Sequence, residues 1–326
     1  MKKKLIALAV TGALMTPMLA QAAPTVYGKV HLSYGNVEDG TAGGNDNWQL
    51  RSHASRVGVK GDRDLGNGLS AIYKFEWQVD YEQGTDAGFD RRNMYAGLKG
   101  GWGEVRFGRH DTPLKMAQGK FDQFGDTDAD LKNAGDEDGE NRLDNVLAYL
   151  GKSGNIKYAI ALIPGEGDGT TAGDGPADSI SASIAYESGP LYVALAQDSY
   201  DDTGAVAGSE NSITRVVGTY KMGNMQLGLL YQTGVEGVSP STDEEDWLGL
   251  SFSTKFGGKN KFKAQYITTE DNQASAVEST LMAIGVDHKF DKKTSGYLMY
   301  SNLDEEQGGA TITDDTFLGA GLVLKF

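Results

Sequence analysis

The chain has no cysteine, so neither a disulfide framework nor thiolate chemistry underlies its stability or function. Proline is also scarce: seven, against 45 glycines and 15 tyrosines, a balance that suits many strands and tight turns better than disorder. Basic residues are outnumbered, with 30 Lys and Arg against 45 Asp and Glu and a formal net charge of −15. That excludes nucleic acid as a natural partner, because phosphates demand Lys/Arg surfaces. Beyond the N-terminus no stretch approaches the ~18 consecutive apolar residues of a membrane-crossing helix. A helical membrane protein is therefore excluded. The four histidines, His31, His53, His110 and His288, have no metal-ligand spacing, and neither a metal nor a cofactor is expected.

The one apolar run lies at the start. Lys2, Lys3 and Lys4 precede an apolar region over residues 5–20, and Ala20-Gln21-Ala22 forms a small-residue cleavage site. Thr11, Thr16 and Pro17 interrupt the run and make it a poor permanent span. Residues 1–22 read as a cleaved secretory signal, and 23–326 as a single domain.

What fills that domain is alternation. Phe326, Leu324, Leu322, Ala320 and Leu318 share one face of a strand, and Lys325, Val323, Gly321, Gly319 and Phe317 share the other. Ala71, Tyr73, Phe75, Trp77 and Val79 oppose Ser70, Lys74, Glu76, Gln78 and Asp80, with Ile72 out of pattern. Leu248, Leu250 and Phe252 oppose Gly249, Ser251 and Ser253. No helical periodicity of comparable length competes.

The connections alternate as well. Seven short turns fall near 62–68, 100–103, 151–154, 188–190, 222–224, 257–260 and 291–293. Eight longer polar stretches lie between them, at 36–50, 82–90, 111–140, 164–177, 201–210, 235–245, 271–276 and 304–313. Together they separate sixteen strands, leaving about 19 residues for each strand and connection, room for the roughly 9–11 that cross a membrane. The expected fold is all-β: a transmembrane 16-stranded antiparallel up-and-down β-barrel. Open edges are not tolerated in lipid, so the sheet must close. A soluble β-sandwich or propeller is the alternative, but its turns would not divide into a long and a short set. Barrels of this size leave an aqueous channel, which points to passive passage of ions and small hydrophilic solutes.

Tyr27-Gly28-Lys29, the segment from Ser55 to Gly61 (SRVGVKG), the blocks RNMYAGLKG at 92–100 and GEVRFGR at 103–109, and the terminal Phe326 resemble the trimeric Gram-negative general porins. The neisserial and β-proteobacterial branch is the nearest in character, and the likeness spans the whole mature chain. It implies an outer-membrane homotrimer in contact with lipid and lipopolysaccharide. It also implies that the third long loop, here 111–140, is folded inward to face basic side chains on the wall.

Strand parity assigns that wall independently. With the apolar face toward lipid, Arg56, Lys74, Arg91 and Arg106 point into the lumen from four consecutive strands, and Arg142 just after the loop is a fifth candidate. Lys29, His31, Glu76 and Glu104 share the inward parity, whereas Arg109 falls on the outward one. The loop carries nine acids against three lysines, and Asp111, Asp122, Asp126, Asp128 and Asp130 are its candidate constriction residues. Counted this way, the loop's charge predicts a modest cation preference. The alternative is a substrate-selective channel whose basic wall binds an anionic solute, and a third class is a structural or adhesive barrel. Asp126 to Asp130 has a superficial likeness to a calcium loop, but Leu131 stands where the turn needs glycine. No serine accompanies His288 as an outer-membrane phospholipase would require, so no enzyme is expected. Trp48, Trp77, Trp102 and Trp247 fit interfacial girdles.

Overall fold

The computed structural model describes residues 23–41, 44, 46–80, 88–135, 139–165, 175–201, 210–238, 241–271 and 277–326. The expected signal segment, 1–22, lies outside them. Period-two alternation becomes sixteen antiparallel staves. These are β1 Thr25–Asp39, β2 in two pieces, Asn47–Ser52 and Arg56–Gly66, β3 Leu69–Val79, β4 Phe89–Gly100, β5 Gly103–Asp111 and β6 Arg142–Ser153. Then follow β7 Ile156–Ile163, β8 Ser179–Ser188, β9 Leu191–Asp201, β10 Glu210–Met222 and β11 Met225–Val238. The ring is completed by β12 Ser241–Phe256, β13 Asn260–Asp271, β14 Val277–Lys289, β15 Thr294–Gln307 and β16 Ala310–Lys325. Both pieces of β2 pair with β1, so they form one stave broken at His53–Ala54–Ser55.

Each strand pairs with the next, and β16 returns to β1 in a register running from Lys29 opposite Lys325 to Asp39 opposite Asp315. Phe326 extends the seam: its N–H donates to the Gly28 carbonyl at 3.1 Å, and the Gly28 N–H donates back at 3.2 Å. No edge is left, so every backbone group that crosses lipid finds a partner in the ladder. The outward parity forms an apolar belt, with Leu195, Leu229, Leu250, Ile284, Leu298 and Leu318 all about half exposed or more.

All seven short turns are present. The long-loop side differs from expectation at three places, because strands run on into the polar stretches. β11 and β12 continue to Val238 and from Ser241, β1 and β2 to Asp39 and from Asn47, and β15 and β16 meet at Gly308–Gly309. Both of those glycines have positive φ, +59° and +79°, as a two-residue hairpin turn requires. Polar side chains conceal these extensions from a hydrophobicity pattern, since above the membrane both faces of a strand meet water.

The third long connection is the exception. Thr112 caps a short helix, α1 (Pro113–Ala117), by accepting from the Lys115 N–H at 3.1 Å, and Asp130 caps a 3-10 turn at Leu131–Asn133. Leu114, Phe121, Phe124, Ala129 and Leu131 are essentially fully buried. They pack against Ala194, Ile213, Val217, Leu230, Ile267, Leu281, Met299 and Phe317, which belong to the parity opposite the exposed belt. Burying each large side chain contributes about 1.5–3 kcal/mol, so the segment is held as firmly as a domain core. Phe317, on the face opposite Leu318, is part of this cluster. Trp247 belongs to the same cluster: it is fully buried, with Nε1 donating to Glu245 at 2.7 Å. It is therefore no girdle residue, unlike Trp48 and Trp102, which are exposed.

Candidate functional site

The inner face from β1 to β6 carries the candidate basic residues, and three irregularities aim them. Along β1, Leu32 pairs with Ser52 and Lys29 with Arg56, so β2 holds one extra residue at its break. Ala54 takes φ +46° there, a conformation that is rare for a side chain with Cβ. The shift flips parity, so Arg51 and Arg56 both face inward although they are five positions apart, an odd step that would put them on opposite faces of a regular strand. In β4, Phe75 pairs with Met94 but Trp77 with Arg91, which leaves Arg92 and Asn93 together opposite Glu76. In β6 the pairing slips between Gly108–Val146 and His110–Leu143, with Asn145 at φ +58°. Each of these is a β-bulge that re-aims a side chain.

The wall is built around shared carboxylates. Asp126 receives both Lys29, at 2.5 Å, and Arg56. Glu76 receives Arg92 Nε at 3.1 Å, Lys74 at 3.2 Å and the Tyr27 hydroxyl at 2.8 Å. Arg92 also donates to the Gln78 side-chain oxygen at 3.0 Å, and it feels the like charges of Arg56 and Arg142. Arg142 pairs with Asp111 at 2.7 Å, and Asn93 donates to the other Asp111 oxygen at 2.6 Å. Arg106 pairs with Glu104 and lies over the Tyr95 ring, 4.7 Å from its centroid. Arg51 pairs with Asp128, and His53 stands 4.0 Å from the same carboxylate.

Of the five candidate basic residues, Arg56, Lys74, Arg106 and Arg142 belong to this network. Arg91 does not. Its guanidinium is 64% exposed and lies 3.4 Å from Asp144, which also receives Arg109 at 2.9 Å. The β4 bulge turns Arg91 to the outer face beside Trp77 and puts Arg92 in its place. A signal existed in the sequence: Arg91-Arg92-Asn93 is three polar residues in a row, which strict alternation cannot accommodate. Lys29 has the inward parity expected of it, whereas Arg51 was concealed by the break in β2.

The candidate acids divide in the same way. Asp126 and Asp128 meet the wall, and Asp111 closes β5 against Arg142. Asp122 and Asp130 instead fold the loop itself. Asp122 accepts from the Phe124 N–H at 2.7 Å, and Asp130 accepts from Asp126 at 2.6 Å and from Lys132 at 3.2 Å. Burial pushes the Asp122 carboxyl up to about 7, with the Asp130 charge adding to the rise. Burial also opposes ionisation of Asp126, but Arg56 and Lys29 outweigh it and hold this carboxyl well below the usual range. At the loop's far end Glu140 is buried against Arg215 of β10 at 2.7 Å, a pair that joins the loop to the opposite part of the sheet and balances its own charge. No cluster with the makings of a metal site occurs among the described residues.

A closed sixteen-stave barrel with a polar wall and an apolar belt is the architecture of a passive pore. The family model described as Gram-negative porin matches residues 7–308. Outer membrane porin protein 32 of Delftia acidovorans is 29% identical over 93% of this chain and 89% of its own length. The major outer membrane protein P.IB of Neisseria meningitidis serogroup B is 27% identical over the full length of both chains. Among solved structures, an anion-selective porin from Comamonas acidovorans superposes with a TM-score of 0.79 at 22% identity, covering 93% of this chain and 99% of that one. The chain belongs to the Gram-negative porins, in the branch of the Delftia and Neisseria outer-membrane proteins, and is a passive diffusion channel rather than an enzyme.

Proposed function

We propose that the third long loop expected at 111–140, of which 111–135 and 139–140 are described, folds into the lumen as the constriction of a homotrimeric porin, and that the wall it faces gives the pore an anion preference. The observation that carries the sign is the local balance of charge. Lys29, Arg51, Arg56, Lys74, Arg92, Arg106 and Arg142 are gathered on five carboxylates, those of Glu76, Glu104, Asp111, Asp126 and Asp128. Seven cations on five anions leave an excess of two positive charges.

Counting loop acids from the sequence suggests the opposite sign, because that count includes Asp122, which is consumed inside the loop's own packing, and Glu140, which Arg215 of β10 neutralises one for one. The formal charge of −15 does not decide the matter either. At ~0.1 M salt the screening length is about 10 Å, so acids on distant loops are largely invisible at the wall. Inward folding of the loop is supported by its apolar contacts with the inward parity and by Asp126 and Asp128 reaching β1 and β2. The trimer is supported by the family, and residues 1–22 serve as the export signal in this reading. The reversal potential in a planar bilayer under a KCl gradient tests the sign. Chloride preference is the expected result, and potassium preference would contradict it.

A further inference from the structure

We propose that the periplasmic vestibule of this pore is a binding site for small amphipathic anions, an aryl or short alkyl group bearing a phosphate or carboxylate. The proposal rests on the anion-preferring reading above and goes beyond it, since it concerns a different group of residues on the far side of α1.

The vestibule is a cavity of about 540 Å³, within the range of small-molecule sites. Five lysines line it: Lys99, Lys120, Lys152, Lys157 and Lys221. Four of them stand at the periplasmic ends of β4, β6, β7 and β10, and Lys120 hangs from the loop above. Two acids line the same cavity. Glu104 is already paired with Arg106, and Glu187 with Lys157. Among the described residues no carboxylate is in ion-pair contact with Lys99, Lys120, Lys152 or Lys221. Four solvated ammonium groups around one chamber favour an anion and disfavour a cation.

The rest of the lining is not that of a simple water-filled mouth. Met116 and Ala117 of α1, Leu150 and Tyr192 supply apolar surface beneath the lysines. Tyr192 is pinned there, its hydroxyl donating to the Ala117 carbonyl at 2.8 Å. The Gly119 backbone leaves no room for a Cβ against the Tyr192 ring, which would lie 2.7 Å away, so the aromatic wall is closely fitted to the loop. Inorganic anions would use the lysines alone. An anion with an aryl or alkyl group would use the apolar wall as well, and that difference defines the ligand class.

Single-channel chloride current provides the test, with phenyl phosphate as probe and inorganic phosphate as control, each added to one chamber and then the other. Phenyl phosphate on the periplasmic side is expected to block saturably, with a half-blocking concentration at least tenfold below that of inorganic phosphate. Lys152→Gln with Lys221→Gln should raise that concentration at least tenfold; both residues are exposed at strand ends, so folding is preserved. Arg92→Gln should alter the chloride preference but leave the block in place, which separates this site from the constriction. Equal block by both phosphates would overturn the proposal by reducing it to general attraction of anions. Block unchanged by the lysine substitutions, or absent from the periplasmic side, would also overturn it.

Discussion

Arg92 donates from Nε to Glu76 at 3.1 Å across a β-bulge, whereas its neighbour Arg91 turns out of the barrel to Asp144. One inserted residue thus decides which of two adjacent arginines joins the Glu76 network. Glu76 holds Arg92, Lys74 and Tyr27 together, so it both orders the wall and offsets its charge. Two unit charges ~4 Å apart in water interact by about 1 kcal/mol, so removing one carboxylate changes ion preference by about two- to fivefold. Glu76→Gln is expected to increase the chloride-to-potassium permeability ratio by that factor, read from reversal potentials.

Asp122 makes the loop sensitive to pH. Its carboxyl sits near 7, far above the ~3.9 of an unfolded aspartate, so the folded loop binds this proton more tightly than a free chain does. The contribution is fully present below about pH 4 and is lost as pH rises through about 7. Hydrogen exchange at Phe124 and Leu131, whose N–H groups Asp122 accepts, should therefore quicken from pH 5 to pH 8 after correction for intrinsic rates. Asp122→Asn should flatten that dependence; an unchanged profile would remove the carboxyl from the loop's stability.

Phe121 packs closely against Gly228 of β11 and Gly249 of β12. It is fully buried, and a Cβ on Gly249 would come within 2.5 Å of its ring. Phe121→Ala should cost about 3–5 kcal/mol of docking energy. Gly249→Val should produce the same outcome from the opposite side of the contact. Both variants are expected to keep the barrel but show noisier and larger single-channel currents than the wild type, and quiet currents of wild-type size from either variant would argue against a docked constriction.

Salt concentration should tune selectivity in a definite direction. At ~0.01 M the screening length grows to about 30 Å, so the acidic loops begin to act on ions near the wall. The chloride preference should weaken as salt is lowered from ~0.1 M. A preference that strengthens on dilution would mean that the wall alone sets the field at every distance.

The barrel was legible in the sequence because lipid imposes a rule on alternate residues, and the turns divide by side for the same reason. What escaped was wherever that rule lapses. Strand extensions above the membrane carry polar side chains on both faces. The bulges at Ala54, Arg92 and Asn145 insert a residue, which moves every later side chain to the other face. Parity read from Met94 therefore chose Arg91 over Arg92, and Arg51 was concealed beyond the break in β2. The loop acids were visible, but their partners were not: Asp126 meets Lys29 of β1 and Arg56 of β2, while Asp122 turns in on its own loop. The division between wall-facing and loop-folding acids is a tertiary fact.

Reversal potentials of the wild type, Arg92→Gln and Arg91→Gln in a KCl gradient address the bulged wall most directly. The expected result is a chloride-preferring wild type, a ratio reduced about two- to fivefold in Arg92→Gln, and little change in Arg91→Gln. A potassium-preferring wild type, or a larger shift from Arg91→Gln than from Arg92→Gln, would contradict it.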